Sequence, residues 1–195
     1  MNILAIDTSG NHLSIVLFYN DKVISMHDKN INLKHSVTLL PALEDMLENN
    51  GVSLSEIDVF CSVIGPGSFT GIRIGVSIVK ALAYAFDKKV LQVTSFDVLA
   101  YNKPSAKVLT LIDAKHGHYY ACGYDNLQVV LPPCYIDESA VAELSKEYSL
   151  LKDCDGDILN GLISAVKAKL SLATSDRESL IPLYVKKSQA EEERK

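Results

Sequence analysis

Apolar residues recur along this chain in two rhythms. Short unbroken or alternating runs have strand length, and longer stretches place apolar residues every three or four positions, as helices do. Residues 3–6 predict a buried strand that ends in the turn Asp7-Thr8-Ser9-Gly10-Asn11. A second strand follows at 13–19, and Asn20-Asp21 turns it into a third at 23–26. Then Val37, Leu40, Leu43 and Leu47 share one helical face, widened by Leu39 and Met46. Ser36 is read as the N-cap of that helix, Pro41 is tolerated near its start, and Asn50-Gly51 stops it. Ser53-Leu54-Ser55-Glu56 spells a capping box for one short turn before a strand at 59–64.

The next stretch, Gly65-Pro66-Gly67-Ser68-Phe69-Thr70-Gly71-Ile72-Arg73-Ile74-Gly75, organises the chain. Strand length before it and helical spacing after it (Ile72, Val76, Val79, Ala83, Phe86) predict strand, tight glycine turn, helix. Gly65 and Gly67 can take positive φ, and Ser68 or Thr70 can cap the helix. Two jobs suit such a turn. It can hold an anion on N–H groups at the helix start, or it can be a joint that lets another backbone come close. The nucleotide templates do not fit. Ile72-Arg73 follows Gly71 where a Walker loop needs Lys and Ser or Thr, Thr70 stands where a dinucleotide fingerprint needs Gly, and Ser68 lacks the flanking glycines of a nucleophile elbow.

Lys88-Lys89 breaks the pattern, a strand follows at 90–93, and Ser95 is read as the cap of a short helix to Tyr101. Residues 102–105 read as a linker. After it the opening returns: Val108-Leu109-Thr110-Leu111-Ile112-Asp113 matches Ile3-Leu4-Ala5-Ile6-Asp7, and each is followed by a glycine-containing turn and a second strand. Two halves, 1–102 and a smaller 103–195, are expected. In the second, a strand at 126–131 is stopped by Pro132-Pro133, residues 137–148 and 158–170 are helices, and 180–185 is a last strand with Pro182 at its edge. Residues 188–195 are a charged tail.

Charge then narrows the function. A net charge of −5 argues against this chain gripping nucleic acid alone, because phosphate neutralisation needs a basic face. Cys61, Cys122, Cys134 and Cys154 form no Cys-x-x-Cys pair, so free thiols in a reducing compartment are expected, and no signal or spanning segment is read. Asp153-Cys154-Asp155-Gly156-Asp157 starts like an EF-hand loop but lacks its closing Glu, and is read as a loop. His35 is read as a capping or surface residue. His116-x-His118 is read as a polar turn rather than a ligand pair, and Asp7 as the acceptor of an Asx turn.

Two strand-Asp-turn-strand halves with helices between them resemble the actin-like ATPase fold of sugar kinases and chaperones, an α/β fold, here with the second half truncated. Ala5-Ile6-Asp7-Thr8-Ser9, the 65–75 stretch, Ile112-Asp113-Ala114, Pro182-Leu183-Tyr184 and Ser188-Gln189-Ala190-Glu191 resemble the TsaB (YeaZ) family from one end of the chain to the other. The resemblance implies a cytoplasmic, non-catalytic scaffold in the complex that forms threonylcarbamoyladenosine in tRNA. Its partners would be the metal-bearing transferase TsaD, a paralogue, and the ATPase TsaE. ATP and Mg²⁺ would be used by those partners and no cofactor or metal held by this chain alone; tRNA would be met only through the complex, and a self-dimer is expected.

Where the paralogue carries a His-x-x-x-His pair, this chain reads Val93-Thr94-Ser95-Phe96-Asp97-Val98-Leu99, without histidine. The family's common Asp-Ala-Arg-x-Gly-Glu-Val-Tyr reads Asp113-Ala114-Lys115-His116-Gly117-His118-Tyr119. Family pairing through two helices maps to residues 36–49 and 71–86. The implied partner face comprises Val37, Leu40, Leu43, Leu47, Ile72, Gly75, Val76, Val79 and Ala83. The second helix is apolar nearly all round, which needs cover on every side. A phosphate contact would fall to Asp7, Gly65, Gly67, Ser68, Thr70 and Asp113, and the rival function is a small ATPase or kinase using Asp7 and Asp113 at Mg²⁺-phosphate.

Overall fold

The computed structural model describes residues 1–29, 31, 34–102, 107–153 and 157–186. The linker at 103–105, the centre of the acidic loop with Cys154, and the tail from Lys187 lie outside them.

The first sheet grows from β1 (Ile3–Asp7), which is buried along its whole length. A hairpin joins it to β2 (Leu13–Tyr19), and Asn20-Asp21, both at positive φ, turns β2 into β3 (Lys22–Asp28). Helix α1 (His35–Asn50) then leads through the short Ser53-capped turn to β4 (Val59–Val63), parallel to β1. Helix α2 (Phe69–Ala85) and β5 (Lys89–Val93) complete the order β3-β2-β1-β4-β5. Helix α3 (Ser95–Asn102) crosses to the second sheet, built from β6 (Lys107–Asp113), β7 (His118–Asp125), β8 (Gln128–Asp137) and β9 (Ser149–Lys152) in the order β8-β7-β6-β9. Between the last two strands lies α4 (Glu138–Leu144), and α5 (Ile158–Lys169) follows. Each sheet is therefore an antiparallel meander with a parallel strand on the far side of its first strand. The repeated strand-Asp-turn pattern reflects this repeated plan, and the second sheet is one strand shorter.

The alternation along β1 explains the layering. Leu4 and Ile6 point to a core shared with Leu39 and Leu43 of α1 and Ile72, Val76 and Val79 of α2. Ile3 and Ala5 point the other way, onto Leu162, Ala165 and Val166 of α5. Covered on both faces, the strand reads as an unbroken apolar run. So α5, although late in the chain, packs on the first sheet. It passes α3 closely because Gly161 has no Cβ: one placed there would stand 2.1 Å from the Val98 carbonyl.

Several expectations need correction. Ser36 lies inside α1, whose N-cap is Lys34 without a side-chain bond. Thr94, not Ser95, caps α3: its Oγ accepts from the Asp97 N–H at 3.0 Å while Asp97 accepts from the Thr94 N–H at 2.9 Å. Pro132-Pro133 does not stop β8, an edge strand in which a bulge opposite Cys122 absorbs the prolines. The helix expected over 137–148 ends at Leu144, because residues 149–152 pair with β6 instead. Residues 180–185 form no strand. Only the Leu183 N–H reaches across, to the Ile64 carbonyl at 2.8 Å, since β4 already has a partner on each side and Pro182 has no N–H.

Candidate cleft and partner face

The glycine stretch is a joint. Ser68 caps α2, its Oγ accepting from the Gly71 N–H at 3.2 Å. The Ser68 N–H in turn donates to the Ser9 carbonyl, at 2.6 Å. A Cβ on Gly67 would stand 2.2 Å from that carbonyl, one on Gly71 2.1 Å from the Thr8 carbonyl, and one on Gly75 2.4 Å from Thr8 Oγ1. Three glycines thus let the Asp7 turn lie against the loop and the first turns of α2. Thr8 locks the contact by donating its hydroxyl to the Gly71 carbonyl at 2.8 Å. Of the two jobs weighed for such a turn, close backbone approach is the one this geometry performs.

Asp7 makes the Asx turn, accepting from the Ser9 N–H at 2.8 Å. Its other oxygen meets His12 Nε2 at 3.0 Å, a partner the sequence reading did not supply. Burial pushes Asp7 toward protonation. The charge of His12 and the hydrogen bonds from His12 and Ser9 outweigh it, so the carboxyl lies below its ordinary value. Burial likewise disfavours charge on His12, and Asp7 overrides it, raising the imidazole. Both shifts run in the direction that favours the ionised form of the pair. The His12 ring lies 5.5 Å from that of His27, which bonds Ser14 Oγ at 2.8 Å. His35 is neither a cap nor a surface residue: it is buried, and its Nε2 donates to the His12 carbonyl at 2.8 Å.

Both Asp-bearing turns line one cleft of about 860 Å³, with Ser9, His12, Gly67, Ser68, Ser95 and Lys115 among its walls. Asp7, Gly67, Ser68 and Asp113 of the expected phosphate set lie there. Gly65 and Thr70 do not line it: the Gly65 carbonyl accepts from the Ser95 N–H, and Thr70 faces the other side. Asp113 accepts from the backbone and side-chain nitrogens of Lys115, which hold it below the usual carboxylate range. Its own N–H donates to Asp153. Each oxygen of Asp7 and of Asp113 accepts from one protein donor, which leaves each carboxylate further lone pairs. Among the described residues no three His, Cys, Asp or Glu side chains are grouped to hold a metal ion. His118 instead bonds the His116 carbonyl and stacks on Tyr135. Asp97 is buried and ties α3 to Tyr124 of β7 at 2.9 Å and Lys169 of α5 at 2.7 Å.

Most of the side chains expected to face a partner are buried within the chain itself. Leu43, Leu47, Ile72, Val76, Val79 and Ala83 are covered by the chain's own sheet, and Gly75 by Thr8. Helical spacing identified an apolar stripe without saying which side of α2 meets the sheet. Val37 and Leu40 do stand out, 65% and 49% exposed. With them the outer side of α2 offers Phe69, Arg73, Ile74, Ser77 and Ile78, which with Ser36 line a shallow groove of about 520 Å³. Arg73 lies 3.7 Å over the Phe69 ring and donates to the Tyr184 hydroxyl at 2.8 Å. Phe69 and Arg73 are four apart on a helix, a spacing that signals contact, but Tyr184 is 111 positions from Arg73 and only the fold joins them.

Two sheets of matching plan, joined at a cleft lined by two Asp turns, define an actin-like protein. The family model described as "TsaD: tRNA N6-adenosine threonylcarbamoyltransferase" matches residues 29–153. The tRNA threonylcarbamoyladenosine biosynthesis protein TsaB of Bacillus subtilis is 32% identical over 82% of this chain and 69% of its own length. Its Escherichia coli namesake is 36% identical over 64% of this chain and 55% of its own. The chain belongs to the TsaB (YeaZ) family. The structure of YeaZ from Pseudomonas aeruginosa superposes with a TM-score of 0.77 over 94% of this chain and 99% of that one, at 24% identity, and shares the fold. No helix among the described residues is long and apolar enough to cross a membrane.

Proposed function

We propose that this chain is a non-catalytic subunit of the machinery that forms threonylcarbamoyladenosine in tRNA, presenting the outer sides of α1 and α2 to a TsaD-type transferase. The observation that carries this reading is the exposed apolar face. Val37, Leu40 and Phe69 are exposed on α1 and α2, and the half-buried Ile74 and Ile78 line the groove beside Phe69, while the inner sides of both helices are buried in the core. Exposed groupings of large apolar side chains rimmed by polar ones mark interaction sites, and arginine, here Arg73 over the Phe69 ring, is enriched among interface anchors. The same face serves a self-dimer, so dimer and mixed complex compete. A TsaE-type ATPase works alongside, ATP and Mg²⁺ belong to the partners, and tRNA is met through the complex in the cytoplasm. Residues 1–102 form the partner-facing subdomain and 103–195 the smaller one, with α5 packed on the first sheet. Light scattering on chromatographed mixtures of this chain with the transferase of the same genome tests the proposal. A mixed complex lost in Val37→Glu supports it, and its absence from folded protein refutes it.

A second reading, a small ATPase or kinase, is favoured by the cleft itself, which brings Asp7 and Asp113 together. ATP turnover by the chain alone, lost in Asp7→Asn, would establish it.

A further inference from the structure

The chain that follows α5 returns along the flank of α2. Thr174 exchanges backbone hydrogen bonds with Val90 of β5, at 2.8 and 2.9 Å. Glu178 then accepts from Lys80 at 2.8 Å and from the Tyr84 hydroxyl, both in the second half of α2. Further on, Leu183 is tied to the Ile64 carbonyl, and Tyr184 arrives beside Phe69 and Arg73 at the start of α2. The Phe69 and Tyr184 rings lie 5.6 Å apart. Arg73 is held against both, its Cζ 3.7 Å over the Phe69 ring and 5.7 Å from the centre of the Tyr184 ring. The Tyr184 hydroxyl accepts from its Nε at 2.8 Å. Among the described residues nothing accepts from Nη1 or Nη2, and no Asp or Glu lines the groove in which Arg73 sits. Two aromatic side chains, one from each end of the chain's path around α2, thus fix a charged fork in a groove that supplies no acid.

We propose that Arg73 is a specificity-determining anchor of the partner face, its fork receiving a carboxylate side chain of the TsaD-type transferase, with Tyr184 as the residue that positions it. The proposal rests on the reading of α1 and α2 as the partner face. A partner that covers Phe69, Ile74 and Ile78 also takes the Arg73 guanidinium out of water. A covered charge is costly unless it is paired and hydrogen-bonded, so the covering surface must bring an acceptor for the Nη groups. With Nε occupied, the two Nη nitrogens are left side by side, a geometry that suits the two oxygens of one carboxylate. An RNA phosphate is the other bearer of paired oxygens. A groove with a single cation between Phe69, Ile74 and Ile78, on a chain of net charge −5, is not a face that tracks a phosphate backbone.

The test is calorimetric binding of the full chain to the TsaD-type transferase at about 0.05 M and about 0.5 M NaCl, a span over which screening of exposed charge changes strongly. Arg73→Gln should bind at least about tenfold more weakly at low salt and respond less to salt than wild type. Arg73→Lys keeps the charge without the fork and should also lose about tenfold. Tyr184→Phe keeps the ring and should lose about threefold, with an unchanged melting temperature. Arg73 is exposed, so these substitutions leave the core intact, and circular dichroism checks that they do. Wild-type affinity in Arg73→Gln, or weaker binding with the wild-type salt response, overturns the carboxylate. Wild-type affinity in Arg73→Lys overturns the fork, and in Tyr184→Phe the positioning role. A loss confined to self-association of the chain, or to samples containing tRNA, also overturns the proposal and gives the groove to a second copy or to phosphate. Val37→Glu separates the two ideas. Undiminished binding in that variant refutes the partner face itself, whereas lost binding there beside wild-type affinity in Arg73→Gln refutes only the anchor.

Discussion

The Thr8 carbonyl lies 2.1 Å from where a Cβ on Gly71 would stand. No real side chain tolerates that approach, so the Asp7 turn and α2 can meet only if residue 71 is glycine. Gly71→Ala should therefore destabilise the fold by about 1–3 kcal/mol, the range for overpacking a close contact. Gly75→Ala should cost less, because there the neighbour is the Thr8 hydroxyl, the tip of a side chain. Urea unfolding of both variants checks the order.

Charge on the two sides of α2 should have opposite consequences. Val79 is fully buried, and Val76 nearly so, hence Val76→Glu or Val79→Glu should unfold the chain by placing a carboxylate in the core. Val37→Glu, on the exposed side of α1, should shift stability by no more than about 0.5 kcal/mol while removing the partner. Circular dichroism and light scattering on the same samples distinguish the two effects.

Asp97 joins three elements through Thr94, Tyr124 and Lys169. Removing it leaves the Tyr124 hydroxyl and a partly covered Lys169 without their acceptor. Asp97→Ala should lose about 3 kcal/mol, as for one half of a buried pair. Tyr124→Phe should lose about 1–2 kcal/mol. Thermal melts should rank them in that order.

The Asp7–His12 pair also sets a pH window for stability. His12 is raised above its ordinary 6.5, so its contribution is complete below that value and is lost as pH rises through the raised one. Asp7 is lowered from 3.8, so its contribution is present above that value and is lost as pH falls through the lowered one. The stability difference between wild type and His12→Gln should therefore be largest between about pH 4 and about pH 6.5 and shrink on either side. Urea titrations across pH read this directly.

Most of the fold was legible in local pattern. The β1–β2 hairpin, the helix after the glycine turn and the duplicated opening follow from period, turn residues and caps, which act over a few positions. What local pattern could not supply was the covered side of each helix. The stripe Ile72, Val76, Val79 is apolar on either reading, and only the sheet decides that it is core. The same holds for the site. Asp7 declared its Asx turn through Ser9 nearby, but His35 meets His12 across 23 positions, and Tyr184 meets Arg73 across 111. The helix read to Tyr148 stops at Leu144, and the strand at 149–152 went unread because its strand character depends on pairing with β6. Pro132-Pro133 looked like a stop because a bulge on an edge strand leaves no local trace.

The most direct measurement is the mass of the species formed when this chain is mixed with the TsaD-type transferase of its own genome. Size-exclusion chromatography with light scattering should show a mixed complex at the expense of any self-dimer, and Val37→Glu should abolish it while remaining folded. Folded wild-type chain that elutes unchanged beside the transferase would contradict the assignment of α1 and α2 as a partner face and turn attention to nucleotide binding in the cleft.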